Sequence, residues 1–303
     1  MKQVFNDREE LLIAIYLDIC NFYDTNYEFR SYLENNSPNK VQYFTDLELI
    51  AMVIFGSLMH NDNKKRIYKY IRAHYRAYFP TLPSYSRFVK RLNNLHEAIF
   101  HLLNYFMNYA EHSSGAYYII DSFPVMVAKA HHTLKSKWAN GVVKKGYKSS
   151  KDLWLYGVNV HMIVDASNNH KLPMPIYTTI DTANVFDLNV AKQMLPQLEN
   201  LNVSGDLAYS DTVFIDELKD QHSIVLGVPI KAKKGKLLSL MEQVSNSFFS
   251  SLRQPIEILF GITDRFSKIQ DAHLVRSYSG LLFHISLNFV AFFIDYFCFN
   301  INC

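Results

Sequence analysis

The sequence predicts an α/β domain that is preceded by an all-helical region, and three observations predict this fold class. Apolar residues recur at helical spacing through residues 1–110, and the pattern changes to that of β-strands near residue 115. Helical patterns return after the last predicted strand and continue to the end. Hydrophobic residues make up 49% of the 303 residues and charged residues 19%, so the chain can bury a large core. We therefore expect two domains, at 1–110 and 111–303.

The first 110 residues are predicted to form several helices. Segments 11–16 and 47–54 carry apolar residues at helical spacing. Ser84 is a favourable N-cap for a further helix that runs to Leu95. Turn-forming residues separate the helices at 35–38, 60–63 and 80–83.

Five β-strands are predicted in the second domain, with helices between the later ones. The strands are expected at 117–121, 154–164, 174–180, 203–209 and 223–230. Helices are expected at 187–198 and 214–221, and further helices follow the fifth strand. This order of elements is that of the ribonuclease-H-like fold, a mixed sheet with flanking helices. In that order the first strand is central and the fourth strand lies beside it.

Three acidic residues stand where this fold would bring them together. Asp121 follows the apolar run Tyr-Tyr-Ile-Ile, and Asp206 follows Val-Ser-Gly. We expect both at one edge of the sheet, on neighbouring strands, with Glu257 brought to them by a helix that begins near Pro255. Converging carboxylates bind Mg²⁺ or Mn²⁺, and two such ions can drive displacement at phosphorus. A single Asp in such a position is commonly only a turn residue, so the prediction depends on all three.

We assign no catalytic role to two further acidic residues and one histidine. Asp181 and Asp187 flank the segment Thr-Ala-Asn-Val-Phe and are expected to cap the helix that follows. His161 lies in a strand-like run and is expected to be packed or paired.

Three sequence blocks resemble the catalytic blocks of bacterial insertion-sequence transposases with a DDE domain. The blocks are IIDSFPV, SGDLAYSD and RQPIEILFGITDRF. Asp121, Asp206 and Glu257 fall on the family's three catalytic acids, and Arg253 falls on its Arg four residues before the Glu. The resemblance spans residues 115–280. It implies a metal-dependent transposase that cuts the ends of its own element and joins them to target DNA.

The blocks also depart from the family pattern. The family often has a Tyr three residues before the Arg, a Lys seven residues after the Glu and a Lys after the second Asp. Here those positions are Ser250, Asp264 and Leu207. Lys268, expected on the same helix face as Glu257, is a candidate replacement for the missing Lys. Two alternatives stay open: an inactive copy that binds DNA ends without cutting, or another ribonuclease-H-like metal-dependent nuclease.

Clustered basic residues predict contact with double-stranded DNA, although the net charge is only +3. Nine Lys and Arg residues and no acid lie from Lys64 to Arg91. The residues expected to contact DNA there are Lys65, Lys69, Arg72 and Arg76, spaced as one helical stripe, and Arg87, Lys90 and Arg91. A second run between the first two strands, with Trp138 and Tyr147 interleaved, contains Lys135, Lys137, Lys144, Lys145 and Lys148. The alternative for both runs is an ordinary solvated surface.

Cysteine usage and hydropathy point to a cytoplasmic protein. Three scattered Cys residues make neither a disulfide framework nor a zinc motif. The apolar segment 281–299 contains His284, Asn288 and Asp295 on one helical face, which is costly in lipid. We therefore expect a buried helix there and no membrane partner. The expected partners are the element ends, the target DNA and a second copy of the chain bound to DNA.

Overall fold

The computed structural model describes residues 3–33, 43–59, 63–109, 117–129, 143–148, 153–167, 172–232, 235 and 237–301. The chain divides into two compact units. The first unit comprises Met1–Ala110, Thr263–Ile269 and Val275–Cys303, and the second comprises Glu111–Ile262 and Gln270–Leu274. Residues 263–269 and 275–303 thus cluster with the N-terminal residues and not with the segment that follows residue 110.

The described residues form the following elements. The helices are α1 (Arg8–Thr25), α2 (Tyr27–Ser31), α3 (Asp46–Leu58), α4 (Lys64–His74), α5 (Tyr85–Asn94), α6 (His96–Tyr109), α7 (Asp187–Met194), α8 (Thr212–His222), α9 (Leu240–Ser267) and α10 (Tyr278–Phe293). The strands are β1 (Gln3–Phe5), β2 (Tyr118–Lys129), β3 (Lys144–Lys148), β4 (Leu153–Asp165), β5 (Met174–Thr182), β6 (Asn202–Ser204), β7 (Val225–Gly227) and β8 (Phe299–Ile301).

The first unit is a helical assembly built around α3 and α10. The sequence of α3 is apolar on all sides, and its residues from Leu49 to Leu58 are buried. A capping box, in which Thr45 and Glu48 exchange hydrogen bonds, fixes the start of this helix. Helix α10 packs against α3 and α6, and the short strands β1 and β8 pair in parallel. The predicted helical nature of the N-terminal region is confirmed.

Helix α10 is apolar because it lies in a protein core. With its continuation to Cys298 it is long and apolar enough to cross a membrane, yet 67% of its most apolar window is buried inside the protein. Its polar residues are used internally. A ring nitrogen of His284 is 3.1 Å from the carbonyl oxygen of Ile269, and the Asn288 amide is 3.3 Å from the same ring.

Arg91 and Lys64, two ends of the basic run, make contacts inside the first unit. The Arg91 guanidinium forms an ion pair with the buried Asp46 and donates to the Phe44 carbonyl at 2.8 Å, which fixes α5 against the start of α3. Lys64 donates to the Asn93 amide oxygen, and its ammonium nitrogen lies 4.4 Å from the centre of the Phe283 ring.

The second unit is a mixed sheet with flanking helices, the predicted ribonuclease-H-like arrangement. Its strand order is β3-β4-β2-β6-β7, and β5 pairs with the same strand β4 as β3 does. Strand β2 is antiparallel to β4 and parallel to β6, so the first long strand is central and has the strand before Asp206 as its neighbour, as predicted. One face of the sheet packs on α7 and α8 through Tyr118 and Ile120.

Several features of this sheet differ from the prediction. The strands expected at 203–209 and 223–230 are short, Asn202–Ser204 and Val225–Gly227, because Leu207–Tyr209 form a 3-10 turn and the chain after Gly227 leaves the sheet. Strand β2 continues to Lys129 instead of ending at Asp121, because Phe123, Val125 and Val127 extend the buried apolar alternation. Strand β3 was not predicted, since its Lys-rich sequence has low β-propensity; it pairs with β4 from Lys144↔Gly157 to Lys148↔Leu153.

Candidate active site

Asp121 lies on the central strand, within β2 and not at its end. It stands opposite Met162 of β4, and it is only 8% exposed. Alternation along the strand directs Ile120 to the face that carries α7 and α8, and Asp121 to the other face. On that second face Phe123 contacts Phe260 of α9, with ring centroids 4.7 Å apart. Asp121 is therefore fixed on a rigid strand beneath α9.

Asp206 follows the neighbouring parallel strand at a matching position. Ile119 of β2 is paired with Ser204 of β6, and each aspartate is two residues further along its chain. Asp206 caps a 3-10 turn, and its Oδ1 accepts the Ala208 N–H at 2.8 Å. Its location next to the end of β6 agrees with the prediction.

Gly205 allows the chain to turn between β6 and Asp206. A β-carbon at this position would lie 2.7 Å from the Tyr209 ring and 3.1 Å from a methyl carbon of Ile120. Both neighbours are fully packed core residues, so any larger residue would displace the turn that holds Asp206.

Glu257 is carried by α9, a helix that is longer than predicted. The helix runs from Leu240 to Ser267 with Pro255 inside it, so the expectation that it begins near Pro255 was wrong. A proline removes one helical N–H and is tolerated where packing holds the helix, and the adjacent residue Ile256 is fully buried. The hydroxyl of Tyr117 also donates to the Leu252 carbonyl at 3.2 Å, one turn before the proline.

Lys268 does not continue the helix face of Glu257. It is the first residue after α9, and its backbone has a left-handed φ of 53°. The expectation that Lys268 replaces the missing family Lys from the same helix face was therefore wrong. The reason is that the helix ends at Ser267.

Arg253 joins two of the three predicted acids. Its Nη2 atom donates to Asp121 Oδ2 at 2.8 Å and to Glu257 Oε1 at 3.4 Å. Because one nitrogen atom makes both contacts, these two carboxylate oxygens lie closer together than about 8 Å, the separation we expect of groups that share metal ions. The Glu257 side chain is 59% exposed, so its carboxylate is accessible to solvent.

Asp187 is a further acid of this region that the sequence interpretation missed. It does not cap α7: the N-cap is Phe186, with no side-chain cap hydrogen bond. Instead, Asp187 Oδ1 accepts the Ser122 hydroxyl at 3.2 Å and lies 3.8 Å from Nδ1 of His161. Ser122 and His161 are directly paired across β2 and β4. His161 is thus packed and paired, as expected, but against an acid beside β2, the strand that carries Asp121.

The carboxylates act on one another electrostatically. Burial raises the pKa of Asp206, the charge of Asp121 raises it further, and Asp187 adds a smaller effect in the same direction. The Ala208 N–H and the Arg253 guanidinium oppose these effects. The combined negative charge of Asp121, Asp187 and Asp206 therefore exceeds the single positive charge of Arg253.

Tyr209 supplies a buried polar atom to the same region. Its hydroxyl is buried and has no hydrogen-bond partner among the described residues. Burial raises its pKa well above the ordinary value, and the charges of Asp187, Asp121 and Asp206 raise it further. The hydroxyl therefore lies within electrostatic reach of the aspartates.

The chemistry of this donor set fits a divalent cation. Carboxylate oxygens are hard ligands of the kind that Mg²⁺ and Mn²⁺ prefer, and the excess negative charge favours a cation. The buried Tyr209 hydroxyl adds a polar atom that lacks a protein partner within the described ranges. As they stand, however, no three acidic, His or Cys side chains among the described residues are grouped closely enough to hold an ion.

The residues predicted to contact DNA lie in both units. In the first unit, six of them have exposed side chains: Lys65, Lys69, Arg72, Arg76, Arg87 and Lys90. Helix α4 ends at His74, so Arg76 lies in the turn after it and not on a continuous helical stripe; its guanidinium donates to the Leu82 carbonyl at 3.4 Å. Arg91, by contrast, is engaged by Asp46.

The second basic run is described only in part. Lys144 and Lys145 are exposed on β3, and Lys148 ends that strand. Lys135, Lys137 and Trp138 lie outside the described residues.

Comparison with known proteins identifies one matching family. A family model described as Transposase DDE domain matches residues 114–293, more than half of the chain. The match includes Asp121, Asp206, Arg253 and Glu257. No curated protein matches the sequence significantly.

Proposed function

The chain belongs to the family of transposases with a DDE domain, and we propose that it cuts the ends of an insertion sequence and joins them to target DNA. The observation that carries this proposal is the grouping around Arg253. One guanidinium contacts Asp121 and Glu257, while Asp206 follows the parallel strand next to that of Asp121. These are the acids that the sequence blocks select independently.

We propose that Asp121, Asp206 and Glu257 hold the catalytic Mg²⁺ or Mn²⁺ ions. Such ions, when bound, activate an attacking oxygen and stabilise the charge that develops at phosphorus. Rigid placement supports this role for Asp121, which is buried on the central strand. Glu257 is exposed, so its carboxylate can reach both the acids and an approaching DNA strand.

Arg253 has a separate role in this proposal. In the absence of DNA it neutralises Asp121, whose carboxylate is nearly buried and would otherwise be costly. A guanidinium also binds phosphate in a bidentate manner, so Arg253 would bind the scissile phosphate or steady the acids beside it. Its Nε atom is buried and makes no hydrogen bond within the described part of the chain, so it retains an unused donor.

Membership of the family implies DNA binding, and we propose where the DNA is contacted. In the first unit we assign the contacts to Lys65, Lys69, Arg72, Arg76, Arg87 and Lys90; in the second, to Lys144, Lys145, Lys148 and the predicted positions Lys135 and Lys137. Arg91 is retained only as a support for α5, since Asp46 engages it. We further propose that the protein acts in the cytoplasm and as a homodimer on DNA, because two ends must be brought together.

The test is cleavage and strand transfer with the DNA that flanks this reading frame. The purified chain is mixed with labelled end duplexes and Mg²⁺ or Mn²⁺, and nicked and joined products are separated. Asp121→Asn, Asp206→Asn and Glu257→Gln should each reduce cleavage by several orders of magnitude while leaving DNA binding intact, because loss of a metal ligand removes several kcal/mol of charge stabilisation. Exposed Glu217→Gln on α8 is the matched control and should cut normally.

Two other outcomes would redirect the assignment. End binding without any cleavage by the wild type would identify an inactive copy, which the residues Ser250, Asp264 and Leu207 at family positions make worth testing. Cleavage without joining would identify a hydrolytic nuclease of the same fold.

A further inference from the structure

The hairpin formed by β3 and β4 carries an exposed pair of aromatic rings. Tyr147 and Trp154 are directly opposite each other in the strand register, and their ring centroids are 5.0 Å apart. Tyr147 is 47% exposed and Trp154 is 50% exposed. A single exposed apolar residue is ordinary on a protein surface, whereas two exposed rings in contact form a contiguous aromatic patch.

The two faces of this hairpin differ sharply. On the inner face Gly146 stands opposite Leu155, which is buried. A β-carbon at Gly146 would lie 2.1 Å from the Ala183 carbonyl oxygen, so this face is closed by the neighbouring chain. Alternation along the strands then directs Tyr147 and Trp154 outward. Their exposure therefore follows from the register of the hairpin.

Positive charge accompanies the exposed rings. The ammonium nitrogen of Lys145 lies 4.4 Å from the centre of the Trp154 ring, a cation–π contact. Lys144 is also exposed, but strand alternation places it on the face of Gly146, so Lys145 is the cation that accompanies the rings. The described segments 143–148 and 153–157 contain no acidic residue. The outer face thus presents aromatic surface and positive charge together.

We propose that Tyr147 and Trp154 form a stacking platform for unpaired DNA bases, with Lys145 binding the adjacent phosphate backbone. Base stacking on aromatic rings combined with cationic contacts is how proteins hold single strands without reading sequence. A blunt duplex hides its base faces, so this surface favours ends whose terminal bases are unpaired. The inference rests on the proposed action of the protein at DNA ends.

Tryptophan fluorescence provides a direct test. The chain has two Trp residues, Trp138 and Trp154, so Trp138→Phe leaves Trp154 as the sole tryptophan emitter. This variant is titrated with short oligothymidylate, with a blunt duplex and with the same duplex carrying mismatched terminal pairs. Oligothymidylate and the mismatched duplex should quench Trp154 at lower concentrations than the blunt duplex.

Substitutions separate stacking from charge. Trp154→Ala should weaken oligothymidylate binding roughly tenfold, the loss expected for one stacked base, with little effect on the blunt duplex. Trp154→Phe should keep most of the affinity. Lys145→Gln should lower the slope of log affinity against log salt by about 0.7 on the single strand.

Stability measurements exclude a purely structural pair. If the two rings only stabilise the hairpin, Trp154→Ala lowers the melting temperature and weakens all DNA probes equally, and the proposal fails. It also fails if oligothymidylate leaves the Trp154 emission unchanged. If the wild type cuts DNA ends but Trp154→Ala binds every probe normally, only the stacking platform is overturned. If Trp154 binds unpaired bases as proposed but the wild type does not cut, only the proposed transposase activity is overturned.

Discussion

The guanidinium of Arg253 donates to the nearly buried carboxylate of Asp121 at 2.8 Å, across 132 residues of sequence. The contact fixes α9 to the central strand at the point where chemistry is proposed. The guanidinium also supplies part of the positive charge that is needed to neutralise the neighbouring carboxylates. Arg253 and a bound metal ion are therefore expected to compensate for one another.

Arg253→Ala should make the protein depend on metal for stability. Without the guanidinium, Asp121 is buried without its strongest neutralising partner, which should destabilise the metal-free protein by roughly 1–3 kcal/mol. Added Mn²⁺ should then raise the melting temperature more than it does in the wild type. Differential scanning fluorimetry with and without Mn²⁺ measures this, and Arg265→Ala on the same helix is the control. Equal Mn²⁺-induced shifts of the melting temperature in Arg253→Ala and the wild type would show that the ion does not compensate for the guanidinium.

Asp206→Asn should stabilise the metal-free protein although it removes cleavage. Burial and Asp121 raise the pKa of Asp206, so its ionised form is disfavoured in the folded state. Above that pKa the ionised carboxylate lowers the free energy of unfolding, and a neutral amide relieves this cost while still accepting the Ala208 N–H. We expect a gain of roughly 0.5–2 kcal/mol at neutral pH by urea denaturation. A loss of stability would mean that Asp206 is held by contacts that the amide cannot make.

Asp187→Asn should reduce cleavage by a moderate factor. Asp187 contacts Ser122 on β2 and His161 on β4, so we expect it to support the site without being one of its three proposed metal ligands. Outer partners of metal sites typically contribute 10–100-fold to metal affinity or activity. Single-turnover cleavage and Mn²⁺ titration by electron paramagnetic resonance measure both effects. A loss as large as that of Asp121→Asn would instead make Asp187 a primary ligand.

Lys64→Met should stabilise the first unit most at neutral pH. Burial lowers the pKa of Lys64 to about 8, so the unfolded chain binds this proton more tightly than the folded chain. The protonated lysine costs stability below about pH 8, and wild-type stability recovers as the pH rises from there towards the ordinary lysine value. We expect Lys64→Met to raise the free energy of unfolding by roughly 1–2 kcal/mol at pH 7 and by less at about pH 9.5. Urea denaturation of the variant and the wild type at both pH values measures this difference. A difference that does not change with pH would assign the effect to packing.

Replacing Lys65, Lys69, Arg72 and Arg76 with Ala should flatten the salt dependence of end binding. Each neutralised phosphate adds about 0.9 to the slope, so the loss should be roughly three to four. These exposed charges contribute little to folding, so the circular dichroism spectrum should be unchanged. Fluorescence anisotropy over a salt series measures the slope. An unchanged slope in a folded variant would identify an ordinary solvated surface and favour Lys144 and Lys145 as the DNA contacts.

The sequence predicted the part of the site that depends on strand pattern. Asp121 and Asp206 each follow an apolar run that predicts a strand. The order of elements places these two strands side by side, so the proximity of the two residues could be predicted. Asp187 could not be found in this way. An acid at the start of a helix has a common local use as a cap, and only the tertiary pairing of Ser122 with His161 gives it another.

The errors around α9 have a related origin. Pro255 is a strong local signal for a helix start, and it was overridden because the buried neighbours of the proline hold the helix together. Lys268 was assigned by helical spacing, but the helix ends one residue before it. Spacing predicts which residues share a face only as far as the helix extends, and tertiary contacts set that limit.

The pairing of β1 with β8 joins Gln3–Phe5 to Phe299–Ile301, so the first unit combines segments that are synthesised far apart in time. Domains generally fold from the N-terminus as the chain leaves the ribosome. Here the first unit uses α10 as a central packing partner, so its early helices can complete their packing only after α10 has been translated. A ribosome that stops early would release a chain whose N-terminal helices still expose their apolar faces. A stop codon just before α10 should therefore disrupt the N-terminal unit as effectively as a much earlier one.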